Sequence, residues 1–276
     1  MAGAAMSWEE EWSKAHEASP LKVTTENEAK WERYWSICAE QYGRDVEADR
    51  ALYEAVVDHL VREGRLRTTD AVLDIGCGPG TYTIPLAQRA RLVVGLDSAP
   101  GMIEELNRRA SAQGLKNVRG TVGRWEDMDG SDSDLVVCVL SPAVRDAKAL
   151  LRMLSVSRRD CCYITAALGE EMRTRNELWQ KVVGEFRPSN AYDVRFPLNI
   201  LMERGLRPDL KHVSADFNTA ARADVVISNY QAYFEIFTEM NEEKRTIVKD
   251  HILDRSENGL FHRKGRKVLA VITWGH

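Results

Sequence analysis

The chain has 276 residues, of which 44% are hydrophobic and 29% charged, with a net charge of −4 at pH 7. That is enough for one substantial core with an appended cap, and the slight acidity argues against the basic footprint of a nucleic-acid binder. No apolar run reaches the ~18–20 residues of a membrane span, and the opening MAGAAMSWEEEW lacks the basic region and apolar core of a signal peptide.

The first ~65 residues read as helix. Trp31, Tyr34, Trp35, Cys38 and Tyr42 recur at three-and-four spacing among charged neighbours, and Asp49 to Arg62 carries Leu52, Ala55, Val56, His59 and Leu60 on one face before Gly64. From Asp70 the pattern becomes short strands alternating with amphipathic helices. AVLDI (Ala71–Ile75), RLVVGLD (Arg91–Asp97), NVRGTVG (Asn117–Gly123), SDLVVCVL (Ser133–Leu140) and CCYITAA (Cys161–Ala167) read as strands one to five. Between them, TYTIPLAQRA reads as helix, as do the run through Met102, Leu106 and Ala110 with Ser98 as N-cap, and Arg145 to Ser155. Strands joined by helical crossovers imply a parallel, doubly wound sheet.

The rhythm then breaks. Glu170–Met202 contains Trp179, Phe186, Tyr192 and Phe196; Leu210–Ala221 reads as strand, Asp224 to Ile252 as one long helix, and Lys267–Trp274 as a final strand. The expected organisation is an N-terminal helical cap over 1–65 and a Rossmann-like domain over 66–276, with a substrate-binding insertion at about 170–209. The five cysteines show no C-x-x-C spacing and read as free thiols in a reducing cytoplasm. The six histidines form no ligand-spaced pair, so no metal site is expected.

VLDIGCGPGTY (Val72–Tyr82) puts three glycines and a proline behind the first strand. A strand, a glycine-rich turn and a helix aim backbone N–H groups into the crevice at the strand ends, a site for a nucleotide-like ligand. No lysine follows Gly80, which excludes a P-loop, and the spacing Gly76-x-Gly78-x-Gly80 differs from the dinucleotide G-x-G-x-x-G. Asp74 would repel a pyrophosphate but accept hydrogen bonds from a cationic head.

DIGCGPG is similar to the first motif of class I S-adenosylmethionine-dependent methyltransferases, in which the glycine loop closes over the amino-acid part and ribose of the cofactor. The resemblance continues through Asp97, placed to accept the ribose hydroxyls, and through Gly123-Arg124-Trp125-Glu126, where the family often has a glycine and an acid beside the adenine. Here Arg124 stands where an acid is common, leaving Trp125 or Glu126 for that contact. The resemblance covers Trp31 to Leu168 and, weakly, the last strand. It implies a seven-stranded sheet with its last strand antiparallel, S-adenosylmethionine as cofactor and S-adenosylhomocysteine as product. The implied cofactor contacts are Tyr42, Asp74, Gly76, Cys77, Gly78, Gly80, Thr81, Asp97, Ser98, Met102, Arg124, Trp125, Glu126 and Ser141.

The fourth strand ends in Leu140-Ser141-Pro142-Ala143, without the N-P-P-Y or D-P-P-Y of members that methylate planar nitrogens. Small-molecule members with an aromatic Y-W…A…Y helix ahead of the sheet resemble this chain, with Tyr42 toward the methionine end and Trp35 at the pocket; these aromatics also read as cap core. Expected substrate contacts are Tyr34, Trp35, Tyr192 and Arg195. Arg187 and Arg195 suit a carboxylate or a solvated surface, and His212 or His262 suits a base or a structural role. Methyl transfer is an in-line displacement that needs positioning and dehydration more than an acid or base, so no catalytic residue is assigned. The expected reaction is methyl transfer to a small molecule, with the acceptor atom and oligomeric state open. The alternatives are a nucleic-acid methyltransferase, a non-catalytic cofactor-binding protein and, against its loop spacing, a NAD-type oxidoreductase.

Overall fold

The computed structural model describes residues 7–48, 50–128, 132–169, 173–184 and 191–276. Three helices come first: α1 (Trp8–Glu17), α2 (Glu28–Ala48) and α3 (Arg50–Arg62). The alternating region follows as β1 (Ala71–Ile75), α4 (Thr83–Ala87), β2 (Leu92–Asp97), α5 (Pro100–Ala112), β3 (Val118–Val122), β4 (Ser133–Val139), α6 (Ala147–Val156) and β5 (Ser157–Gly169). The remainder is α7 (Arg173–Val182), α8 (Arg195–Glu203), β6 (Asp209–Arg222), α9 (Ala223–Phe234), α10 (Glu242–Leu253), β7 (Ser256–Glu257) and β8 (Leu260–Gly275).

The strands form one sheet in the order β3-β2-β1-β4-β5-β8-β6, with the two-residue β7 paired to β8 off this path. Pairing is parallel from β3 to β5, and β8 runs antiparallel to both β5 and β6. This is the expected doubly wound sheet. Every residue of β1 is buried, because helices cover both faces of a parallel sheet and leave no solvent side to alternate with. On one face α3 packs Leu52, Val56 and Leu60 against Val72, Val137 and Cys162. On the other, Trp12 of α1, Leu150 of α6 and Ile200 of α8 meet Leu73, Val136 and Trp274. The Trp12 ring stacks on Phe196 at 6.2 Å, and its indole N–H donates to the Ala191 carbonyl at 2.6 Å, so the N-terminal helix is pinned to α8.

A third apolar cluster stands above the carboxyl ends of the strands. Trp31 of α2, Trp179 of α7, Phe234 of α9, Val248 of α10 and Phe261 of β8 meet there. The strands β6 and β8 reach it because their pairing continues to Arg222↔Leu260, well past the last β5–β8 pair at Gly169↔Lys267.

Three expected elements differ. The single helix over 224–252 is two helices, since Asn241 caps α10 by accepting from the Lys244 backbone N–H and starts a new axis. The helix behind the glycine loop is only Thr83–Ala87. Ser98 does not cap α5, whose N-cap is Ala99; the Ser36 hydroxyl of α2 instead accepts from the Gly101 N–H at 3.3 Å. A Cβ on Gly101 would lie 2.8 Å from the Ser36 Cα, so the missing side chain is what lets α2 settle on α5.

Candidate active site

The sequence after β1 turns sharply because three glycines hold positive φ: 65° at Gly76, 53° at Gly78 and 86° at Gly80, a region that other residues enter only at a cost. Each has its own reason to lack a side chain. A Cβ on Gly76 would run into the Ser141 hydroxyl, and one on Gly80 would meet Leu106 Cδ1 at 2.5 Å. A Cβ on Gly78 would have only Met102 Sδ within 4 Å, at 3.9 Å, so this glycine alone faces open space. Gly76 and Cys77 donate their N–H groups to the Leu96 carbonyl at 2.7 and 3.0 Å. Behind the turn, Arg109 of α5 donates to the Pro79 carbonyl at 2.7 Å and pairs with Glu47 at 3.2 Å.

Two acids meet the loop. Asp97, at the end of β2, accepts the Gly78 N–H on Oδ2 and the Ala99 N–H on Oδ1, both at 2.9 Å. Burial raises its carboxyl, and those two donors pull it back. Asp74, buried in β1, accepts the Thr83 hydroxyl at 2.6 Å. Burial pushes it up to about 7, against the pull of Thr83. The Cys77 thiol is raised well above its usual range by burial, as expected of a packed cysteine and not of a nucleophile.

These groups open on a cavity of about 1220 Å3, part of it continuous with solvent. Glu28, Trp31, Glu32 and Trp35 line it from α2, at the three-and-four spacing that puts them on one helix face. Trp31 and Trp35 stack at 6.3 Å, and the buried Trp31 indole N–H has no partner. Arg124, after β3, fastens this roof: it pairs with Glu28 at 2.6 Å and Glu32 at 3.2 Å. On the α3 side the lining is Tyr42, Tyr53, Thr81 and Tyr82, and the buried Tyr82 hydroxyl has no partner. On the β4 side it is Leu140, Ser141, Pro142 and Ala143, with Leu140 at φ 49°.

Most of the sequence-predicted residues converge here: Tyr42, Asp74, Gly76, Cys77, Gly78, Thr81, Asp97, Ser98, Met102, Arg124, Trp125, Glu126 and Ser141 all line the cavity, as does Trp35. The Trp125 ring itself turns to α6, donating to the Ala149 carbonyl at 3.2 Å beneath the Arg152 guanidinium. Glu126 lies 3.7 Å from Arg145. Four predicted residues are not among the lining. Gly80 packs on α5, Tyr34 sits among the aromatics of the third cluster, the Tyr192 carbonyl accepts from Thr165, and Arg195 is an exposed partner of Asp193. His212 and His262 are exposed on β6 and β8, away from the cavity. Phe186 and Arg187 lie outside the described residues. Sequence reasoning missed Tyr53 and Tyr82, since an aromatic beside apolar neighbours carries no mark of facing a cavity.

Residues 72–159 match the methyltransferase-domain family. The chain is similar to the magnesium protoporphyrin IX methyltransferase of Synechocystis, solved with bound S-adenosylhomocysteine, at 18% identity and a TM-score of 0.50 over 83% of this chain and 85% of that one. The chain has the class I methyltransferase fold. The site suits S-adenosylmethionine, with an acid at the end of β2 and a glycine open to the crevice. The chain is also 26% identical over 225 residues to an uncharacterized protein of Haemophilus influenzae, covering 78% of this chain and 80% of that protein. It is 33% identical over 101 residues to a 23S rRNA uracil-C5 methyltransferase of Salmonella choleraesuis, 36% of this chain but only 23% of that protein.

Proposed function

We propose that this methyltransferase transfers the cofactor's methyl group to a small molecule bound beneath α2, with residues 1–65 as the cap and 170–209 contributing to the acceptor side. The observation that carries this reading is the roof: one face of α2 lays Trp31 and Trp35 over the cavity and is fastened across it by Arg124. A covered cavity of this kind admits a compact acceptor and excludes water.

In this reading Asp97 holds the ribose hydroxyls and Gly78 presents bare backbone to the cofactor. Asp74 accepts from the ammonium, while Met102, Ser98 and the Gly123–Glu126 turn border the adenine. The cofactor supplies an electrophilic methyl on a sulfonium. The protein's part is to hold the acceptor atom in line at about 3–3.5 Å and keep water out. Trp35 and Tyr42, 6.2 Å apart and edge to face, form the wall nearest that position, with Leu140 and Ser141 opposite.

The first test is calorimetric titration with S-adenosylmethionine, S-adenosylhomocysteine and NADH. Micromolar binding of the first two with NADH silent supports the reading, and metabolites are then screened by S-adenosylhomocysteine formation. Binding of NADH alone overturns it.

The similarity to the rRNA methyltransferase favours RNA as a second reading. The chain spans about a quarter of that protein's length, and its net charge of −4 counts against a polyanionic partner. RNA binding that weakens steeply with salt, together with methyl incorporation into RNA, would select it.

A further inference from the structure

The β4 end of the cavity carries a cation that neither the glycine loop nor the roof uses. Among the lining residues, Arg124 is spent on Glu28 and Glu32, Asp97 on two backbone N–H groups and Asp74 on the Thr83 hydroxyl. Arg145 is different. Its nearest acid, Glu126, stands 3.7 Å away, longer than a hydrogen bond, and the two side chains are 36% and 48% exposed. A guanidinium offers several N–H donors, and among the described residues those of Arg145 make no hydrogen bond.

The backbone fixes where that guanidinium starts. Arg145 lies between Val144, which is fully buried, and Asp146, whose carboxylate caps α6 by accepting the Ala149 N–H at 2.7 Å. The acid next in sequence thus serves the helix. Two further side chains stand near enough to feel the charge. Burial and then Arg145 lower the His16 imidazole, and the Tyr192 phenol, raised by burial, is drawn down by the same arginine. Near pH 7 both are neutral, so neither answers the charge.

A cation on a cavity wall without a hydrogen-bond partner suits an anionic ligand group. A planar guanidinium suits a carboxylate best, because two parallel N–H donors meet its two oxygens. The rest of the cavity narrows the choice. Its lining carries five acids, Glu28, Glu32, Asp74, Asp97 and Glu126, against two arginines, so a singly charged group is tolerated better than a doubly charged phosphate. Around Arg145 the wall is otherwise apolar, with Val139, Pro142 and Ala143 on the β4 side and Trp31 and Trp35 on the roof.

We propose that Arg145 grips a carboxylate of the methyl acceptor, so that the substrate is a small organic acid whose apolar or aromatic body lies between the tryptophan roof and the β4 end. The inference rests on the reading of the cavity as a methyl-transfer site and deepens it by naming the acceptor's class. The carboxylate is the handle and not the methylated group, since the guanidinium covers its oxygens. Arg145 is therefore a binding residue that makes and breaks no bond in the transfer.

The test uses compounds paired to differ in charge alone: benzoate and benzamide, phenylacetate and phenylacetamide, indole-3-acetate and indole-3-acetamide. Each is titrated calorimetrically into the parent protein saturated with S-adenosylhomocysteine, and into Arg145→Gln and Arg145→Lys prepared likewise. At least one acid is expected to bind the parent about tenfold or more tightly than its amide. Arg145→Gln should remove that preference, and Arg145→Lys should keep part of it. S-adenosylhomocysteine itself should bind both variants nearly as it binds the parent, which shows that they are folded. Among acceptors found by S-adenosylhomocysteine formation, Arg145→Gln should raise KM and largely spare kcat. No preference for any acid in the parent, a preference that survives Arg145→Gln, or an acceptor without an acid group overturns the proposal. If the parent does not bind S-adenosylhomocysteine, the reading of the cavity itself fails and the role of Arg145 falls with it; if it binds S-adenosylhomocysteine and none of the acids, the role of Arg145 falls alone.

Discussion

The Oδ2 atom of Asp97 accepts the backbone N–H of Gly78 at 2.9 Å. The acid at the end of β2 and the central glycine of the loop are therefore one unit: whatever sits on the loop also meets the acid. Removing the carboxylate takes away a ligand acceptor and releases two backbone N–H groups that it holds. Asp97→Ala is expected to weaken S-adenosylhomocysteine binding by about 1–3 kcal/mol and to lower the melting temperature. Asp97→Asn, which keeps an acceptor for one of the two N–H groups, should recover much of the stability and less of the affinity. Calorimetric titration paired with thermal melts measures both.

The three loop glycines should separate by substitution. Alanine at Gly80 drives a methyl into Leu106, and alanine at Gly76 drives one into Ser141, so both should unfold at lower temperature than the parent. Gly78→Ala meets no close neighbour and bears mainly the left-handed backbone cost of about 1–2 kcal/mol. It should stay folded and lose S-adenosylhomocysteine binding, because the new methyl stands where the ligand approaches the backbone. Normal binding by Gly78→Ala would place the ligand elsewhere.

Asp74 gives the site a pH dependence whose sign is fixed by burial. Its folded carboxyl is pushed up to about 7 from an ordinary value of 3.8, so it takes up a proton on folding. Its contribution to apo stability is most favourable at low pH and falls as pH rises toward about 7. Asp74→Asn keeps an acceptor for the Thr83 hydroxyl and carries no charge. The apo variant should therefore be more stable than the parent at pH 8, on the order of 2 kcal/mol, with the gap shrinking by pH 5. Cofactor affinity should move the other way. In the parent it rises as Asp74 ionises through about pH 7; in the variant it is weak and flat. Denaturant titrations and calorimetry at three pH values test both halves.

Much of this site could be read from the chain, for a local reason. The glycine run, Asp74 and Asp97 lie at the carboxyl ends of β1 and β2, and in a parallel sheet those ends form the crevice, so order along the sequence becomes position in space. What could not be read depends on partners distant in sequence. Arg124 stands where the family often has an acid, and only the fold brings it to Glu28 and Glu32. Ser98, adjacent to α5, reads as its cap, but the hydroxyl that accepts from the first turn is that of Ser36. Arg195 invited a role in carboxylate binding, yet two residues away Asp193 takes its guanidinium at the surface. The break between α9 and α10 was hidden because Ile236 and Phe237 extend the apolar stripe beyond the end of α9, while the Asn241 cap looks like any polar residue on a helix face.

The Arg124 clasp makes one further prediction, about rate more than stability. Its side chain is 37% exposed, and its partners Glu28 and Glu32 are 27% and 34% exposed. Ion pairs this open to solvent contribute about 0–1 kcal/mol each, so Arg124→Ala should change the melting temperature little. The same two bonds, however, join the turn after β3 to the face of α2 that roofs the cavity, with Trp31 and Trp35 on that face. In the proposed reading a ligand beneath α2 is released by lifting the roof, and without Arg124 the lift breaks no ion pair between turn and roof. S-adenosylhomocysteine should accordingly dissociate several-fold faster from Arg124→Ala, with its association rate changed less. Stopped-flow tryptophan fluorescence reads both rates, since Trp31 and Trp35 report on the roof directly. Glu28→Gln with Glu32→Gln should reproduce the faster dissociation, because it removes the same clasp from the opposite side. An unchanged dissociation rate in both variants would mean that α2 is held down by its packing on α5 at Gly101 and Ser36, and that the ion pairs only decorate the roof.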